Sequence, residues 1–423
     1  MKRLTAIFTA FAICAAAHAQ EGPKILSLED CIEITLKNNP AISSSYASTE
    51  AQRNRLWQTR AGWLPQINAN AGYSRSDSES ELIADWIGVN DSYSSSISAS
   101  QLLFDFGKTG LGADIQKNSY YAAQQDTLNT VNTIIYQLKQ AYYGVLAAVE
   151  QRDVYKESVE QYREQLKRAQ AFFDVGTRPK IDVTTAQVNL NTAQLNLISA
   201  ANALNVSVHR LMNIMGVYMQ RPNFRLHKES EVTEEYAITF EDALAYALEN
   251  RPDLAGTRLR LDTARQNVKL AAAGFAPEFS ASGSYGWSGG GFPLNDRWSV
   301  GAGVSLPIFS GFRKGNKIKE TKNSVNAAYY NLTEAQQNVL LDVRTAYFNL
   351  QEARERIPVA DVSRQAAQEN YNLAVGRYTV GVGNYIEVKD AEVSLSNARL
   401  QYISAVFDYN LAVADLKRSM GTK

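Results

Sequence analysis

The chain has 423 residues, of which 45% are hydrophobic, and its 43 lysines and arginines balance 43 aspartates and glutamates to a formal net charge of +0. Nothing in this charge balance suggests nucleic acid as a partner. Two cysteines and three histidines give little material for a disulfide framework or a metal site.

The first 19 residues are typical of a secretory signal peptide. Two basic residues precede an apolar run over residues 4–17, and Ala-His-Ala at 17–19 forms a small-residue cleavage site. The mature chain is therefore expected to begin at or near Gln20. It contains no run of roughly 18 apolar residues, the length of a transmembrane helix, so a membrane crossing would have to use strands.

The mature sequence is a tandem duplication. Matching residues lie 212 apart early in each copy, as Pro40 and Pro252 do, and 205 apart later, as Gly176 and Gly381 do. One loop must therefore be 7 residues longer in the first copy. The predicted parts are a signal peptide over 1–19, a first repeat over 20–216, an inter-repeat linker or equatorial segment over 217–237, and a second repeat over 238–421.

Each repeat opens with a short amphipathic helix, a proline and a second helix. Asn39 precedes the proline in the first copy and Arg251 in the second, and proline suits the first turn of a helix. A second proline ends this part of each copy. The predicted helical segments are 28–64 and 240–276.

Strand periodicity follows in both copies. Ile67, Ala69 and Tyr73 alternate with small polar residues, and Phe279 and Tyr285 belong to the same pattern in the second copy. Alternation over about ten residues, with aromatic residues at the strand ends, is typical of membrane-barrel strands, although a soluble hairpin sheet with one wet face would alternate in the same way. The predicted strands cover about 66–75, 93–104, 278–287 and 297–308.

After each strand pair the apolar spacing becomes helical. Leu190, Leu197 and Leu204 lie one heptad apart, which predicts coiled-coil packing. Gly176 and Gly381 stop the incoming helices at two helix-breaking tips. The predicted helical hairpins cover 107–216 and 311–420.

With these features the chain resembles outer-membrane efflux proteins of the TolC family. The resemblance covers nearly all of the mature sequence. It rests on the repeat, the Asn39-Pro40 opening, the Leu64-Pro65 exit, the Leu103-Phe104-Asp105 turn into the long helix, and the Tyr-x-Val-Gly tip. Phe106 and Phe312 depart from the family pattern, because glycine is common at both positions.

The resemblance implies an α+β membrane protein with a tandem structural repeat. Long helical hairpins would form a periplasmic α-barrel, and each protomer would add four strands to a 12-stranded β-barrel in the outer membrane of a Gram-negative bacterium. Four strands cannot close a barrel and an open edge is not tolerated in lipid, so a homotrimer is implied.

The implied function is that of an exit duct in a tripartite efflux or type I secretion system. Such a duct receives drugs or other substrates from a periplasmic adaptor protein and an inner-membrane pump of the RND or ABC class. A periplasmic adaptor-like coiled-coil protein is the alternative. An adaptor, however, would carry one hairpin and a lipid or helical anchor, whereas this chain has two hairpins and two strand pairs.

The resemblance also implies a selectivity gate at the second tip. Glu387 and Asp390 match two acidic residues that project into the closed periplasmic end in the family. Three protomers would place six carboxylates around a narrow axis, where they would attract cations and bind a blocking divalent cation. A solvated helix start would also favour acidic residues, because they complement the helix dipole.

A lock is implied beside this gate. Asp182 and Tyr378 match positions that hold the closed state together by hydrogen bonding between neighbouring helices of the tip. Gly383 stands where the family has an arginine, so the resemblance implies either a weaker resting gate or a replacement of that part of the lock by Lys180 or Lys389.

The family docks its adaptor at the Val-Gly position of the tips. Glycine exposes backbone groups to a partner, and valine supplies a small apolar patch. A turn alone would also require these glycines. The matching residues here are Val175, Gly176, Thr177, Val380, Gly381 and Val382.

Enzymatic residues are not recognisable in the sequence. His209 and His227 lie far apart, with no cysteine or carboxylate cluster at metal spacing. The Gly-Val-Gly at 381–383 lacks the preceding strand and third glycine of a dinucleotide-binding loop. We therefore predict a protein that is not an enzyme and needs no cofactor or structural metal.

Overall fold

A computed structural model of the chain describes residues 24–77, 90–218, 224–228 and 236–422. The predicted signal peptide, the expected start at Gln20 and much of the predicted linker lie outside these residues. Within the described ranges, no helix is both long enough and apolar enough to cross a membrane.

The elements repeat in length as well as in order. Helices α3 and α7 have 67 residues each, and α4 and α8 have 35 each. In chain order the elements are β1 (Lys24–Leu26), α1 (Leu28–Asn38), α2 (Pro40–Arg60), β2 (Gln66–Ser76), β3 (Asn90–Phe104), α3 (Lys108–Asp174), α4 (Lys180–Ile214), β4 (Phe224–Leu226), α5 (Phe240–Asn250), α6 (Pro252–Ala273), β5 (Glu278–Gly289), β6 (Asn295–Ser305), α7 (Arg313–Thr379) and α8 (Tyr385–Ser419).

These elements form two compact units. The tip unit comprises the described parts of 1–39, 135–236 and 350–414, and the sheet unit those of 40–134, 237–349 and 415–423. Both helix-breaking tips belong to the tip unit, and all four long strands belong to the sheet unit.

The first helix of each repeat begins with the same cap. The Ser27 hydroxyl accepts a hydrogen bond from the Asp30 backbone N–H at 3.1 Å, and the Asp30 carboxylate accepts one from the Ser27 N–H at 2.9 Å. In the second repeat the Thr239 hydroxyl accepts from the Asp242 N–H at 3.1 Å. Because the first backbone N–H groups of a helix have no internal partner, these side chains fix where each helix starts.

The sheet unit contains one antiparallel sheet in the order β2-β3-β5-β6. Its register pairs Tyr73 with Tyr93, Ile97 with Tyr285, and Tyr285 with Trp298. The apolar residues of the alternating pattern thus lie side by side on one face. The strands of the first repeat pair directly with those of the second, and a single chain leaves the sheet open at β2 and β6, with no partner strand among the described residues.

The turns from strand to long helix contain strained backbone. Phe106 and Gly107 have φ values of 56° and 86°, and Gly311 and Phe312 have 60° and 62°. A left-handed residue with a side chain costs roughly 1–2 kcal/mol. Phe106 and Phe312 therefore carry a conformational cost. Asp105 offsets part of it, because its carboxylate accepts hydrogen bonds from the N–H groups of Gly107 at 3.1 Å and Thr109 at 2.7 Å.

The tip unit has its main core where α1, α3 and α4 meet. Cys31, Leu138, Tyr142 and Leu211 are fully buried there. Next to this core, β1 pairs in parallel with β4. In the predicted heptad stripe Leu190 is 7% exposed and Leu197 and Leu204 are half-buried, which places the stripe of α4 on its packed face.

Candidate channel gate at the hairpin tips

The first tip joins α3 to α4 through a left-handed glycine. Gly176 has φ 75°, and its N–H donates to the Phe173 carbonyl at 2.9 Å. The Thr177 N–H donates to the Phe172 carbonyl, also at 2.9 Å, so the last carbonyls of α3 are satisfied by the turn. No atom would lie within 4 Å of a Cβ at Gly176, so a side chain would have room there. The glycine is therefore explained by the left-handed backbone conformation.

The second tip repeats this turn between α7 and α8. Gly381 has φ 85°, and the N–H groups of Val382 and Gly383 both donate to the Arg377 carbonyl, at 3.1 and 3.0 Å. The Asn384 side chain then caps α8 by accepting from the Glu387 N–H at 2.9 Å. Both tips are exposed at their valines, since Val175, Val380 and Val382 are 71%, 73% and 69% exposed.

A small aromatic and alanine core lies behind the tips and joins the two hairpins. Tyr378 and Tyr385 are 2% and 3% exposed, and their rings lie 6.0 Å apart, edge to face. Phe172 of the first hairpin lies 5.8 Å from the Tyr378 ring. Ala169 and Ala186 are fully buried in the same cluster, where their small side chains let the helices approach closely. The two tips are therefore packed against each other in one protomer.

The predicted lock residues Tyr378 and Asp182 are neighbours, but they are not hydrogen-bonded. The Tyr378 hydroxyl is buried and makes no hydrogen bond to any described residue. Burial, and after it the nearby charge of Asp182, raises the pKa of Tyr378 above its ordinary value. Asp182 is thus close enough to influence the hydroxyl, and the hydrogen bond implied by the resemblance is not formed within the single chain.

Arg178 of the first tip contacts the second tip at Gly383. Its guanidinium donates to the Gly383 carbonyl oxygen at 2.9 Å and lies over the Tyr378 ring, 5.4 Å from the ring centroid. Neither Lys180 nor Lys389 makes this contact in the described structure; Lys389 lies 3.9 Å from the Asp390 carboxylate instead. No motif or spacing in the sequence indicates Arg178.

The two predicted gate acids lie in the first turns of α8 and are accompanied by basic residues. Glu387 lies 3.4 Å from Arg377, with side-chain exposures of 42% and 58%. The Asp390 side chain is 67% exposed. Exposed pairs of this kind contribute little to stability, but each basic group reduces the local negative charge. Arg377 is the second tip residue that no pattern in the sequence indicates.

The described residues of a single chain hold no group of three or more histidine, cysteine, aspartate or glutamate side chains that could bind a metal ion.

Comparison with known proteins identifies the family. The family described as outer membrane efflux protein matches residues 31–217 and 243–422, one block in each repeat. The chain belongs to this family. The match extends over both repeats and sets aside the alternative of a periplasmic adaptor.

Two relatives of this outer membrane efflux protein illustrate the range of the family. The outer membrane protein TolC of Vibrio cholerae serotype O1 is 25% identical over 439 residues, covering 100% of this chain and 96% of that protein. The alkaline protease secretion protein AprF of Pseudomonas aeruginosa is 25% identical over 434 residues, covering 99% of this chain and 88% of that protein.

A solved channel has the same fold. The CmeC outer membrane channel of Campylobacter jejuni superposes with a TM-score of 0.82 at 19% identity, covering 93% of this chain and 85% of that chain. The predicted fold class of long helical hairpins and four strands in a tandem repeat is confirmed, and so are the predicted function as an outer-membrane exit duct and the location in the outer membrane. The family is one of channel proteins rather than of enzymes.

Proposed function

We propose that the protein works as a homotrimer and forms the outer-membrane duct of a tripartite system. The duct would receive its substrate from a periplasmic adaptor and an inner-membrane pump of the RND or ABC class. The trimer is inferred from the open sheet. All 11 residues of β2 and all 11 of β6 are exposed, and both strands are edges.

Unpaired strand edges cannot remain in lipid, where no water satisfies their N–H and C=O groups. Other copies of the chain must therefore continue the sheet from β6 of one protomer to β2 of the next. Three copies with four strands each give 12 strands, enough for a closed barrel with a water-filled lumen.

Exposed apolar faces on two different helices of the tip unit support the same assembly. On α4, Ile181, Val188 and Leu195 lie at heptad spacing and are 68%, 57% and 64% exposed. On α7, Val359 and Leu373 are 68% and 60% exposed. An interface between two unlike faces is heterologous, and such interfaces close into rings when the rotation permits.

The oligomeric state and the pore can be tested together. The protein is expressed in a Gram-negative host, extracted from the outer membrane in detergent, and measured by light scattering and by planar-bilayer recording. We expect three chains per particle and a defined single-channel conductance. A soluble periplasmic monomer, or a membrane protein without conductance, would contradict the proposal.

For the adaptor we propose the exposed tips, with Val175, Gly176 and Thr177 in one and Val380, Gly381 and Val382 in the other, as the docking surface. Neither Val175 nor Val380 is the left-handed residue of its turn. Val→Asp changes at these two positions should abolish crosslinking to the adaptor and export, whereas the matched Val→Ala changes should preserve both. If crosslinking survives both aspartates in a trimeric protein, the tips serve only as turns.

The matching family is described as outer membrane efflux protein, and one relative is an alkaline protease secretion protein, so both efflux and protein secretion fit the family. Co-expression with RND-linked and ABC-linked adaptors, with crosslinking at the tips as the readout, decides between the two kinds of pump.

A further inference from the structure

Two positions that are equivalent in the duplicated sequence touch each other in the structure. Arg178 and Gly383 are 205 residues apart, which is the repeat spacing at the tips. The Arg178 guanidinium nevertheless donates a hydrogen bond to the Gly383 carbonyl oxygen at 2.9 Å, and it approaches the Gly381 carbonyl at 3.5 Å. One repeat therefore supplies a cation at this position, and the other supplies the backbone oxygen that receives it.

The surroundings of the guanidinium explain why an arginine suits this place. Its carbon lies 5.4 Å from the centroid of the Tyr378 ring, which is 2% exposed and held edge to face between Phe172 and Tyr385. A planar cation can lie over a fixed aromatic ring and donate hydrogen bonds from its edge at the same time. An ammonium group would keep the charge but lose this planar geometry.

The other partner is equally restricted. A Cβ at Gly383 would lie 3.0 Å from Arg377 Cβ and 3.1 Å from the Arg377 carbonyl carbon and the Tyr378 nitrogen. Two of these three atoms belong to the backbone, which cannot move aside as easily as a side chain. Gly383 is buried, and the absence of a side chain lets the turn fold tightly against α7 and present its carbonyl to Arg178.

The other polar contacts between the hairpins lie on helices, as the two nearest to the tips show. Asn189 donates to the Tyr385 hydroxyl at 3.1 Å, and Arg168 lies 3.5 Å from the Thr379 hydroxyl. Within the described residues, the guanidinium of Arg178 is the side-chain group of the first tip that hydrogen-bonds to the backbone of the second turn. Arg178 thus links this turn directly to the first tip.

We propose that Arg178 is a positioning residue of the gate: it pins the second tip to the first within each protomer, and it thereby fixes where the start of α8, with Glu387 and Asp390, stands at the periplasmic end. This inference rests on the proposed function for its effect on conductance. The pinning itself is a property of the chain and can be measured without a pore.

The test uses two variants. Arg178→Gln keeps a polar side chain but removes the charge, and Arg178→Lys keeps the charge but removes the planar guanidinium group. Arg163→Gln is the matched control, because Arg163 is an exposed arginine of α3 that pairs with Glu160 on the same helix. All variants are made in the full-length protein, and trimer formation is checked in detergent.

The first readout is amide hydrogen exchange of the peptide covering 379–387. Losing a charge-assisted hydrogen bond should speed exchange there by about tenfold in Arg178→Gln, less in Arg178→Lys and not at all in Arg163→Gln. The second readout is single-channel conductance, which should rise in Arg178→Gln because the start of α8 is no longer held. Wild-type exchange rates in Arg178→Gln would overturn the inference, whatever the conductance.

The outcomes separate this inference from the proposed function. If the wild-type trimer conducts and Arg178→Gln exchanges faster but conducts identically, pinning is real but does not set the gate, and the proposal fails at that step. If the wild-type protein has no conductance at all, the proposed function fails, and the exchange data alone decide whether Arg178 pins the tip.

Discussion

The side-chain amide of Asn39 donates a hydrogen bond to the carbonyl oxygen of Ile214 at 2.8 Å. Ile214 is the last residue of α4, where helix carbonyls have no internal partner, and Asn39 directly precedes the proline that starts α2. In the second repeat Arg251, which precedes the equivalent proline, donates to the carbonyl of Ser419, the last residue of α8, at 3.3 Å. The residue before each proline thus donates a hydrogen bond to the C-terminal end of the long hairpin in its own repeat.

From this contact we expect Asn39→Ala to lower stability by about 1–2 kcal/mol, because a part-buried carbonyl loses its donor. Thermal unfolding of the detergent-solubilised protein, followed by circular dichroism, measures the change. Asn38→Ala is the control, since Asn38 is exposed. Equal melting temperatures for the two variants would show that the Ile214 carbonyl finds another partner at no cost.

The Arg251 site predicts a pH dependence. Burial raises the pKa of the Asp253 carboxyl, but the hydrogen bonds and charge of Arg251 lower it by more, so that its pKa lies below the ordinary value of 3.8. A lowered pKa in the folded state stabilises the protein above the unfolded pKa, and this stabilisation is lost as the pH falls through the folded pKa. Asp253→Asn should therefore melt below wild type at pH 6, and the difference should shrink as the pH falls below about 4.

Asp262→Asn provides the comparison for this experiment, because Asp262 forms an exposed pair with Arg265 one turn away on its own helix. Such pairs contribute little, so Asp262→Asn should track wild type at every pH. A difference between Asp253→Asn and wild type that stays constant down to pH 3 would contradict a lowered pKa.

At the gate, opposite changes should have opposite effects. Glu387→Gln combined with Asp390→Asn should reduce cation selectivity and divalent block in bilayer recordings, because the carboxylates are removed. Arg377→Gln should strengthen both by about two- to fivefold, since it removes the cation 3.4 Å from Glu387 while an exposed pair contributes at most ~1 kcal/mol. Unchanged block in all these variants would place the selectivity filter elsewhere.

Tyr378 and Tyr142 are both buried, and their hydroxyl groups differ in hydrogen bonding. The Tyr142 hydroxyl donates to the His227 carbonyl at 2.9 Å, whereas the Tyr378 hydroxyl has no partner among the described residues. Tyr142→Phe should therefore lower stability by about 1 kcal/mol, and Tyr378→Phe should leave it unchanged or raise it. A clear loss on Tyr378→Phe would mean that another protomer supplies the missing partner.

The lock itself is tested by combining Tyr378→Phe with Asp182→Ala. We expect a higher basal conductance if neighbouring protomers complete, in the closed trimer, the hydrogen bonds that these two groups do not make within one chain. If the double variant remains as closed as the wild type, these two residues serve packing alone.

The sequence predicts the local architecture well for a physical reason. Alternation with a period of two in residues such as Ile67 and Ala69, and heptads such as Leu190 and Leu197, reflect the geometry of single strands and helices. The repeat adds a second, independent copy of each signal. Gly176 and Gly381 were recognisable because a left-handed turn strongly favours glycine.

The contacts between the tips were not predictable in this way. Arg178 meets Gly383 across 205 residues, and the contact depends on how two hairpins pack and on the conformation of a long side chain. Arg377 and Glu387 are 10 residues apart on opposite sides of a turn, so no helical spacing links them. The duplication is the one sequence feature that relates the two residues, because it aligns Arg178 with Gly383 at one repeat position although the residues are unlike.

The turns into α3 and α7 show how the copies have diverged. Both contain two consecutive left-handed residues, but the order is Phe106-Gly107 in one and Gly311-Phe312 in the other. The main chain follows the same path, while the aromatic side chain has moved by one position. Three such protomers would therefore present six of these turns, three of each kind. A ligand or partner that contacts the aromatic side chains would find two kinds of turn, although the left-handed backbone is common to both.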